Sequence, residues 1–455
     1  MASGSESNGT SSVPELPHTE KQDPPFGTPK ELFNNVDTSS TPGPAPSQSN
    51  VANNPPPNGG LVAWLHVVAG FMLLFNSWGI LNAFGVFQTY YESGALFDRS
   101  SSDIAWVGAL QMFMVLLMGV VVGPLYDRGH LRLLLLVGSF GVVFGHMMLS
   151  LCSDFWQVVL AQGFVIGIGA GCLFVPCVSL LPTYFSTRMG LALGLAYSGS
   201  SLGGIIYPII LYRLLSPLGF AWSVRIMGFI ALGTLVIPLV VMRIRVGPPK
   251  PRGFIDWTAF TDIPYVILVI AIFLGMIGTT ILIFFLSFYS EEQRILDTRM
   301  AFYLVPILNV GSCFGRVLPN AISDKIGPFN IVTPCAFVTG IVMFCLMAAK
   351  SEAAIIILAL LGGFFSGVYI AMPPACFIPL IKDKSKIGTR IGMGYGIISF
   401  SLLIGGPGAG AILGTVGQFD WHGLWAFGGA SICASGTMFT GLRLYRSGSH
   451  VFVKA

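Results

Sequence analysis

The most regular feature of the sequence is a series of long apolar blocks separated by short polar segments. Each block holds about 20 or more mostly apolar residues, enough for a helix to cross a hydrocarbon core of roughly 30 Å. The strands of a transmembrane barrel would instead alternate apolar and polar residues. The pattern therefore predicts an all-α membrane protein with twelve transmembrane helices, at residues 61–90, 104–126, 131–152, 156–181, 190–215, 220–242, 263–289, 299–322, 328–349, 353–381, 391–416 and 421–443.

The polar segments divide the predicted helices into two sets of six. The longest internal polar segment is 243–262, which we predict to be a cytoplasmic linker between an N-terminal half at 58–242 and a C-terminal half at 263–443. Residues 1–57 are rich in Ser, Pro, Asn and Gly, a composition typical of a disordered cytoplasmic tail. A short second cytoplasmic tail is predicted at 444–455.

The composition supports a membrane protein and excludes other classes. Hydrophobic residues make up 53% of the 455 residues and charged residues only 10%, whereas soluble domains carry roughly 25% charge. The net charge of +4 comes without a basic aromatic surface, so we predict no nucleic-acid partner. The 8 Cys residues are scattered and include no CxxC pair, so the sequence predicts no disulfide framework, no metal site and no cofactor.

The distribution of basic residues orients the chain. An even number of helices places both termini on one side of the membrane. The loops predicted on that side carry twelve basic residues, which are Arg128, Arg132, Arg188, Arg243, Arg245, Lys250, Arg252, Lys325, Lys382, Lys384, Lys386 and Arg390. The opposite loops carry four, which are Arg99, Arg294, Arg299 and Lys350. Because cytoplasmic loops are enriched in Lys and Arg, we predict a multi-pass plasma-membrane protein with both termini cytoplasmic.

One charged residue lies deep inside an apolar block. Arg316 lies eight residues, or roughly 12 Å, before Asp324 at the cytoplasmic end of the eighth predicted helix. A cation at this depth is costly, so it usually faces a cavity or a partner and marks a ligand pathway. A guanidinium binds a carboxylate through two hydrogen bonds, which makes Arg316 a candidate anion site. The alternative is a structural arginine bonded to helix carbonyls.

An acidic residue followed by a basic one ends the second helix of each half. The two copies are Gly123-Pro-Leu-Tyr-Asp127-Arg128 and Asn320-Ala-Ile-Ser-Asp324-Lys325. Internal repeats of this kind build transporters whose substrate site lies between the halves. Each Asp can accept hydrogen bonds from Arg residues and from a helix N-terminus of the other half. We therefore predict a cytoplasmic gate, rather than an ordinary charged turn, made of Gly123, Asp127, Arg128, Arg132, Arg188, Asp324 and Lys325.

Several separated motifs resemble one family of transporters. The pattern Gly-x-x-x-Asp-Arg-x-x-x-Arg at 123–132 resembles the signature loop of the major facilitator superfamily. The segments NGGLVAW (58–64), FGVFQTYYE (84–92), YFSTRMGLALG (184–194) and IGTRIGM (387–393) resemble, in the same order, segments of fungal monocarboxylate transporters. The membrane region is therefore similar to the fungal-type monocarboxylate transporter family within that superfamily.

This resemblance implies a carboxylate substrate, often moved together with a proton. Arg316 matches the arginine of the family's eighth helix, which is taken to bind the carboxylate. Several positions depart from the family pattern, and of the family's basic triplet at Thr187-Arg188-Met189 only Arg188 is kept. Ser312 replaces an Asp one turn before the Arg, Asn82 replaces a Lys late in the first helix, and Asn58 replaces an Asp at the entry to that helix. The usual proton-relay residues are thus missing, so proton coupling cannot be transferred from the resemblance.

Other polar residues are candidates for contact with the substrate or with protons. Asn309 lies seven residues before Arg316 and hence on a similar helix face. Asn82 and Asn309 can bond either a polar substrate or a neighbouring helix, and Ser312 belongs to the same candidate site. His146 is a candidate proton relay because imidazole titrates near neutral pH, although a lone His among helices more often packs or forms hydrogen bonds.

We predict an alternating-access transporter, secondary active or facilitated, for a monocarboxylate or other organic anion. The alternative is an exporter of a neutral or larger secondary metabolite in which Arg316 is structural. A non-transporting nutrient sensor would be expected to carry a larger signalling domain, and an enzyme would need a cluster of catalytic residues, so the sequence favours neither. The predicted partners are a small-molecule substrate, protons and the lipid bilayer.

Overall fold

The fold is described by a computed structural model over residues 56–245, 255–381, 387–414 and 419–448. These residues form helices and connecting segments, without a β-strand. Nearly all of the predicted tail 1–57, the middle of the predicted linker and the end of the predicted C-terminal tail lie outside them. The helices are α1 Leu61–Glu92, α2 Asp103–Asp127, α3 Leu131–Leu149, α4 Phe155–Tyr184, α5 189–218, α6 220–241, α7 Ile263–Glu292, α8 Thr298–Ile326, α9 Pro328–Leu346, α10 Glu352–Leu380, α11 Gly388–Leu413 and α12 Trp421–Ser447.

The helix count agrees with the twelve helices predicted from the sequence. Ten stretches of the described residues are long and apolar enough to cross a membrane. One of them, Met189–Val241, has 53 residues and would measure about 80 Å as a single helix, far more than a bilayer core needs. Its backbone breaks at Gly219, with φ 73° and ψ 172°, which separates α5 from α6. The twelfth helix, α12, is long enough at 27 residues, but it is not among the ten stretches because its many Gly, Ser and Thr residues make it less apolar.

The helix ends differ from the predicted ends by a few residues. α8 continues to Ile326 instead of 322, and α12 continues to Ser447 instead of 443. The helical segment containing α11 begins at Ile387, four residues before the predicted start at 391, so Arg390 is helical rather than part of a loop. These extensions are polar, which is why the apolar pattern missed them. The predicted linker 243–262 contains a 3-10 helix at Trp257–Thr261.

Exposed apolar side chains identify the helices that face lipid, and the remaining contacts show which helices pack together. α3 and α6 expose large residues such as Phe140 and Val240, each 67% accessible, as expected for helices that face lipid. α1 packs on α5, and α12 packs on α7 and α9. Two seams join the first six helices to the last six: α2 packs against α11, and α5 packs against α8. The candidate site lies between these seams.

Both ends of the described chain lie on one face of the helix assembly, which we call the tail face. Near the start, Asn58 Oδ1 accepts hydrogen bonds from the backbone amides of Ser186 and Thr187, at 2.6 and 2.9 Å, between α4 and α5. Near the other end, Arg443 donates to Asn330 at the start of α9. Asp127 and Asp324, at the ends of α2 and α8, belong to the same face because the helices alternate in direction.

Candidate functional site

A narrow cavity lies among the helices, and it collects most of the substrate-site residues predicted from the sequence. Its volume is about 40 Å³, room for roughly three water molecules. A larger ligand therefore requires the two sets of helices to move apart. The lining consists of Trp78, Asn82, Met112, Tyr197, Ser200, Met276, Thr279, Thr280, Ile283, Phe284, Leu308, Asn309, Ser312, Arg316, Ser366, Ile370 and Leu402.

Arg316 is buried in the wall of this cavity, with only 4% of its surface accessible. Its Nη1 donates to the carbonyl oxygen of Tyr197 at 3.0 Å and also to Ser200 Oγ, both on α5. Its Nε has no hydrogen-bond partner among the described residues. The guanidinium is therefore held to α5 by neutral oxygens on one edge, and a donor remains on the other. The sequence identified Arg316 but gave no signal that Tyr197 and Ser200 would hold it.

The predicted neighbours of Arg316 also line the cavity, and each Asn amide nitrogen donates one hydrogen bond to a backbone carbonyl. Asn82 Nδ2 donates to the carbonyl oxygen of Trp78 at 2.7 Å, and Asn309 Nδ2 donates to that of Val305 at 3.0 Å. Each bond stays within the residue's own helix and uses one of the two amide hydrogens. The Asn309 amide also lies against Gly204 on α5, where an added Cβ would approach its Oδ1 to 2.8 Å. Ser312 completes the group on α8 and is 1% accessible.

His146 lies away from the cavity, in a buried contact between α3 and α6. Its Nδ1 is 2.8 Å from the carbonyl oxygen of Val142 in the same helix. Its Cβ lies close to Gly228 on α6, where an added methyl group would approach it to 3.1 Å. His146 is not among the residues that line the cavity, so the contact between α3 and α6 accounts for its burial.

A cluster of aromatic rings includes Tyr197, which lines the cavity. Phe174 on α4 makes an edge contact with Tyr395 on α11, with ring centroids 5.3 Å apart. It also makes an edge contact with Tyr197 on α5, at 6.5 Å, and Tyr395 in turn contacts Phe377 on α10. These rings come from both sets of helices and pack against one another beside the cavity-lining residue Tyr197.

The predicted gate aspartates both lie at the start of a helix from the opposite half. Asp324 accepts the backbone amides of Gly190 and Leu191, at 2.7 and 3.0 Å, in the first turn of α5. Both oxygens of Asp127 lie against Gly388, where an added Cβ would approach each to 2.5 Å. First-turn amides lack partners within their own helix and carry the positive end of the helix dipole. The negative charge of each carboxylate is therefore stabilised at this position.

The basic members of the predicted gate divide into two groups. Arg132, Arg188 and Lys325 are exposed at the tail face, and none of them forms a salt bridge within the described residues. Arg128 is only half-buried and does interact with other residues. Both aspartates thus lie at helix N-termini, and these three basic side chains remain available to solvent.

An ion-pair cluster near Asp127 was not identified in the sequence. Arg390, at the start of α11, bonds Asp256 from Nε at 3.0 Å and Asp262 from Nη1 at 2.8 Å. It also lies over the Tyr265 ring, and the Tyr265 hydroxyl donates to its backbone carbonyl. The cluster fixes the described part of the linker to α11. The two acids lie well over 100 residues before Arg390, so no local pattern could reveal the pairing.

Comparison with known proteins identifies the family. A model of the Major Facilitator Superfamily matches residues 67–350. The MFS-type transporter dbaD of Emericella nidulans is 62% identical over 379 residues, covering 83% of this chain and 85% of that protein. The aspyridones efflux protein apdF of the same organism is 39% identical over 396 residues, covering 84% and 81%.

A solved structure gives the same fold. The MFS transporter FucP, in its outward conformation, aligns with a TM-score of 0.63 at 15% identity, covering 83% of this chain and 98% of that one. At this identity the likeness concerns the fold alone. The predicted fold class is therefore confirmed, and the chain is a multi-pass membrane protein that belongs to the Major Facilitator Superfamily.

Proposed function

We propose that this transporter exports a secondary metabolite larger than a simple monocarboxylate. The observation that carries the proposal is the apolar character of the cavity around Arg316. Besides Trp78 and Phe284, the lining includes Met112, Met276 and Leu308, which suit an apolar body with few polar groups. The relative named as an efflux protein for aspyridones supports export of such a compound.

The bonds of Arg316 support this proposal over a small-anion carrier. Two oxygens of α5 already accept from its Nη1, so one edge of the guanidinium serves to hold α8 against α5. This matches the structural role that the alternative interpretation of the sequence gave it. A substrate needs no carboxylate to enter a cavity of this kind.

A carrier for a monocarboxylate or other organic anion is the second candidate. It is favoured by one observation: Arg316 lines the cavity, and its Nε has no hydrogen-bond partner among the described residues. A carboxylate or enolate oxygen is the natural acceptor for this donor. Proton coupling through His146 is a weaker part of this candidate, because that residue lies outside the cavity lining.

The orientation, the location and the two-half organisation predicted from the sequence are also part of this proposal. The tail face is cytoplasmic, the membrane is the plasma membrane, and 58–242 and 263–443 move as two halves joined by a linker. The chain transports its substrate without chemical conversion. Alternating access opens and closes the seams at Asp127 and Asp324, so the cavity faces each side of the membrane in turn.

The deciding experiment is transport by reconstituted vesicles, measured in both directions and with and without a pH gradient. A panel of labelled small monocarboxylates is compared with larger apolar metabolites, for wild type and for Arg316→Ala. We expect outward transport of the larger compounds, and for acidic ones a loss of about tenfold or more in Arg316→Ala. Transport confined to small acids would reject the export proposal and favour the second candidate. A rate that is independent of the pH gradient would argue against proton coupling.

A further inference from the structure

The cavity contains polar atoms that the residues around them do not satisfy. Four of the residues that line it have a side-chain polar atom buried without a hydrogen-bond partner among the described residues, namely Trp78 Nε1, Tyr197 Oη, Thr279 Oγ1 and Arg316 Nε. The indole and guanidinium nitrogens only donate hydrogen bonds. Because a buried donor without an acceptor is costly, this cavity is suited to a ligand that brings acceptors.

Trp78 is positioned by a break in α1. The helical segments end at Asn76 and resume at Trp78, with Ser77 between them at φ −100° and ψ −86°. The Trp78 ring meets Phe174 edge-on, with centroids 5.9 Å apart, and its carbonyl accepts from Asn82. The ring and the backbone of Trp78 are therefore held in place, while its indole N–H has no partner in the part of the chain that the structure describes. Interrupted helices at substrate cavities are typical of secondary transporters.

The unsatisfied groups come from both sets of helices. Trp78 belongs to α1, whereas Thr279 belongs to α7 and Arg316 to α8. Apolar side chains such as Met112 and Phe284 occupy the same lining. A complementary ligand therefore has an apolar body and two acceptor groups, one for each set of helices.

We propose that Trp78 is a substrate-binding residue whose Nε1 donates a hydrogen bond to one acceptor oxygen of the transported metabolite, while Thr279 and Arg316 bind a second acceptor. The substrate class is an apolar compound with two carbonyl-type oxygens, such as a 1,3-dicarbonyl compound or its enolate. This inference rests on the proposed function, because it assumes that the metabolite occupies this cavity. Contact with both sets of helices would draw them together around the ligand.

The test uses two probes with the same carbon skeleton. Benzoylacetone has two carbonyl groups, and butyrophenone lacks one of them. Equilibrium binding of each to the purified full-length protein is measured for wild type and Trp78→Phe, which keeps an aromatic ring but removes the N–H. The control is Trp106→Phe, because Trp106 on α2 is 47% accessible and does not line the cavity.

Wild type and Trp106→Phe are expected to bind benzoylacetone about tenfold more tightly than butyrophenone. Trp78→Phe is expected to lose most of this preference by weakening benzoylacetone binding alone. Equal weakening of both probes would indicate a packing role and overturn the inference, as would a wild type with no preference. If Trp78→Phe does not fold, Thr279→Val must lower the same ratio, and an unchanged ratio there overturns the two-acceptor site.

Equilibrium binding separates this inference from the export proposal. A protein that fails the efflux test but keeps the probe preference and its dependence on Trp78 would reject export and retain the binding role. A protein that exports metabolites without this preference would retain export and reject the role of Trp78.

Discussion

The two seams between the halves carry copies of one motif but achieve close contact in different ways. In the α2–α11 seam, glycines face each other: a Cβ on Gly123 would lie 3.0 Å from the Gly388 carbonyl, and one on Gly119 would lie 3.5 Å from that of Gly392. In the α5–α8 seam, the glycines are on α5 alone. A Cβ on Gly190 would overlap the Asn320 carbonyl, and one on Gly194 would overlap that of Arg316.

This difference explains the Asn at position 320. Judged by sequence, Asn320 is a degraded copy of Gly123. In the structure its side chain donates to the Arg316 carbonyl at 2.7 Å, and the small residue needed for close approach is supplied by α5. A seam requires a glycine at the crossing point, but either helix can provide it. The second seam is also continuous with the cavity, because Arg316 belongs to both.

The seams also differ in how charge holds them. Asp324 is bonded directly to two backbone amides of α5. At the other seam, α11 is additionally fixed by Arg390, whose ion pairs with Asp256 and Asp262 attach the linker. The α5–α8 seam is thus held by Asp324 together with Arg316, which bonds Tyr197 and Ser200 of α5, whereas at the α2–α11 seam the linker is attached to α11 by ion pairs.

The largest difference between the seams is expected from added methyl groups. Gly194→Ala should lower the free energy of unfolding by about 3 kcal/mol, because its Cβ meets a backbone carbonyl that cannot move aside without separating the helices. Gly119→Ala should be neutral or stabilising, since its Cβ has normal contacts and Ala favours helix. Denaturant unfolding in detergent, together with vesicle transport, measures both. Equal effects would mean that these two glycine positions are not distinguished by packing.

A smaller effect is expected from neutralising the second aspartate. Asp324→Asn should lower the free energy of unfolding by about 2 kcal/mol and reduce transport. The Asn side chain has one oxygen and no charge, so it cannot accept the two backbone N–H groups as the carboxylate does. The control is Asp297→Asn in the same helix, where the side chain caps α8 itself and Asn caps almost equally well. Membrane insertion is checked by surface labelling. If both variants behave alike, the cross-seam bonds contribute little.

The smallest effect concerns the linker at the first seam. A double-mutant cycle with Arg390→Gln and Asp262→Asn should give a coupling free energy of about 1 kcal/mol, since the Arg390 side chain is only 10% accessible. The same cycle between Arg390→Gln and Asp324→Asn, across the two seams, should give a value near zero. Similar values for the two pairs would show that the seams respond as one unit.

The sequence predicted well where a property repeats along one helix. Twelve apolar blocks gave the helix count, and the paired motifs located Asp127 and Asp324 at one face. The apolar pattern failed to predict polar helix ends such as 387–390. There the helix continues because Arg390 bonds acidic partners that are far away in the chain. Trp78 and Ser200 were missed for the same reason, since an aromatic or a serine in an apolar block has no periodic signal that distinguishes a cavity wall from a packed core.

Sequence alone determined that this chain is a helical membrane protein with one deeply buried cation, because apolar length and the cost of burying charge are local properties. Only the tertiary structure decided what that cation meets. The sequence left open whether Arg316 binds an anion or helix carbonyls. In the structure it donates to a carbonyl and a hydroxyl of α5, and its Nε has no partner among the described residues. The physical reason is that the packing of α8 on α5 decides which oxygens lie within hydrogen-bond distance of Arg316. The bonded residues Tyr197 and Arg316 are 119 positions apart in the chain, so no local pattern shows the contact.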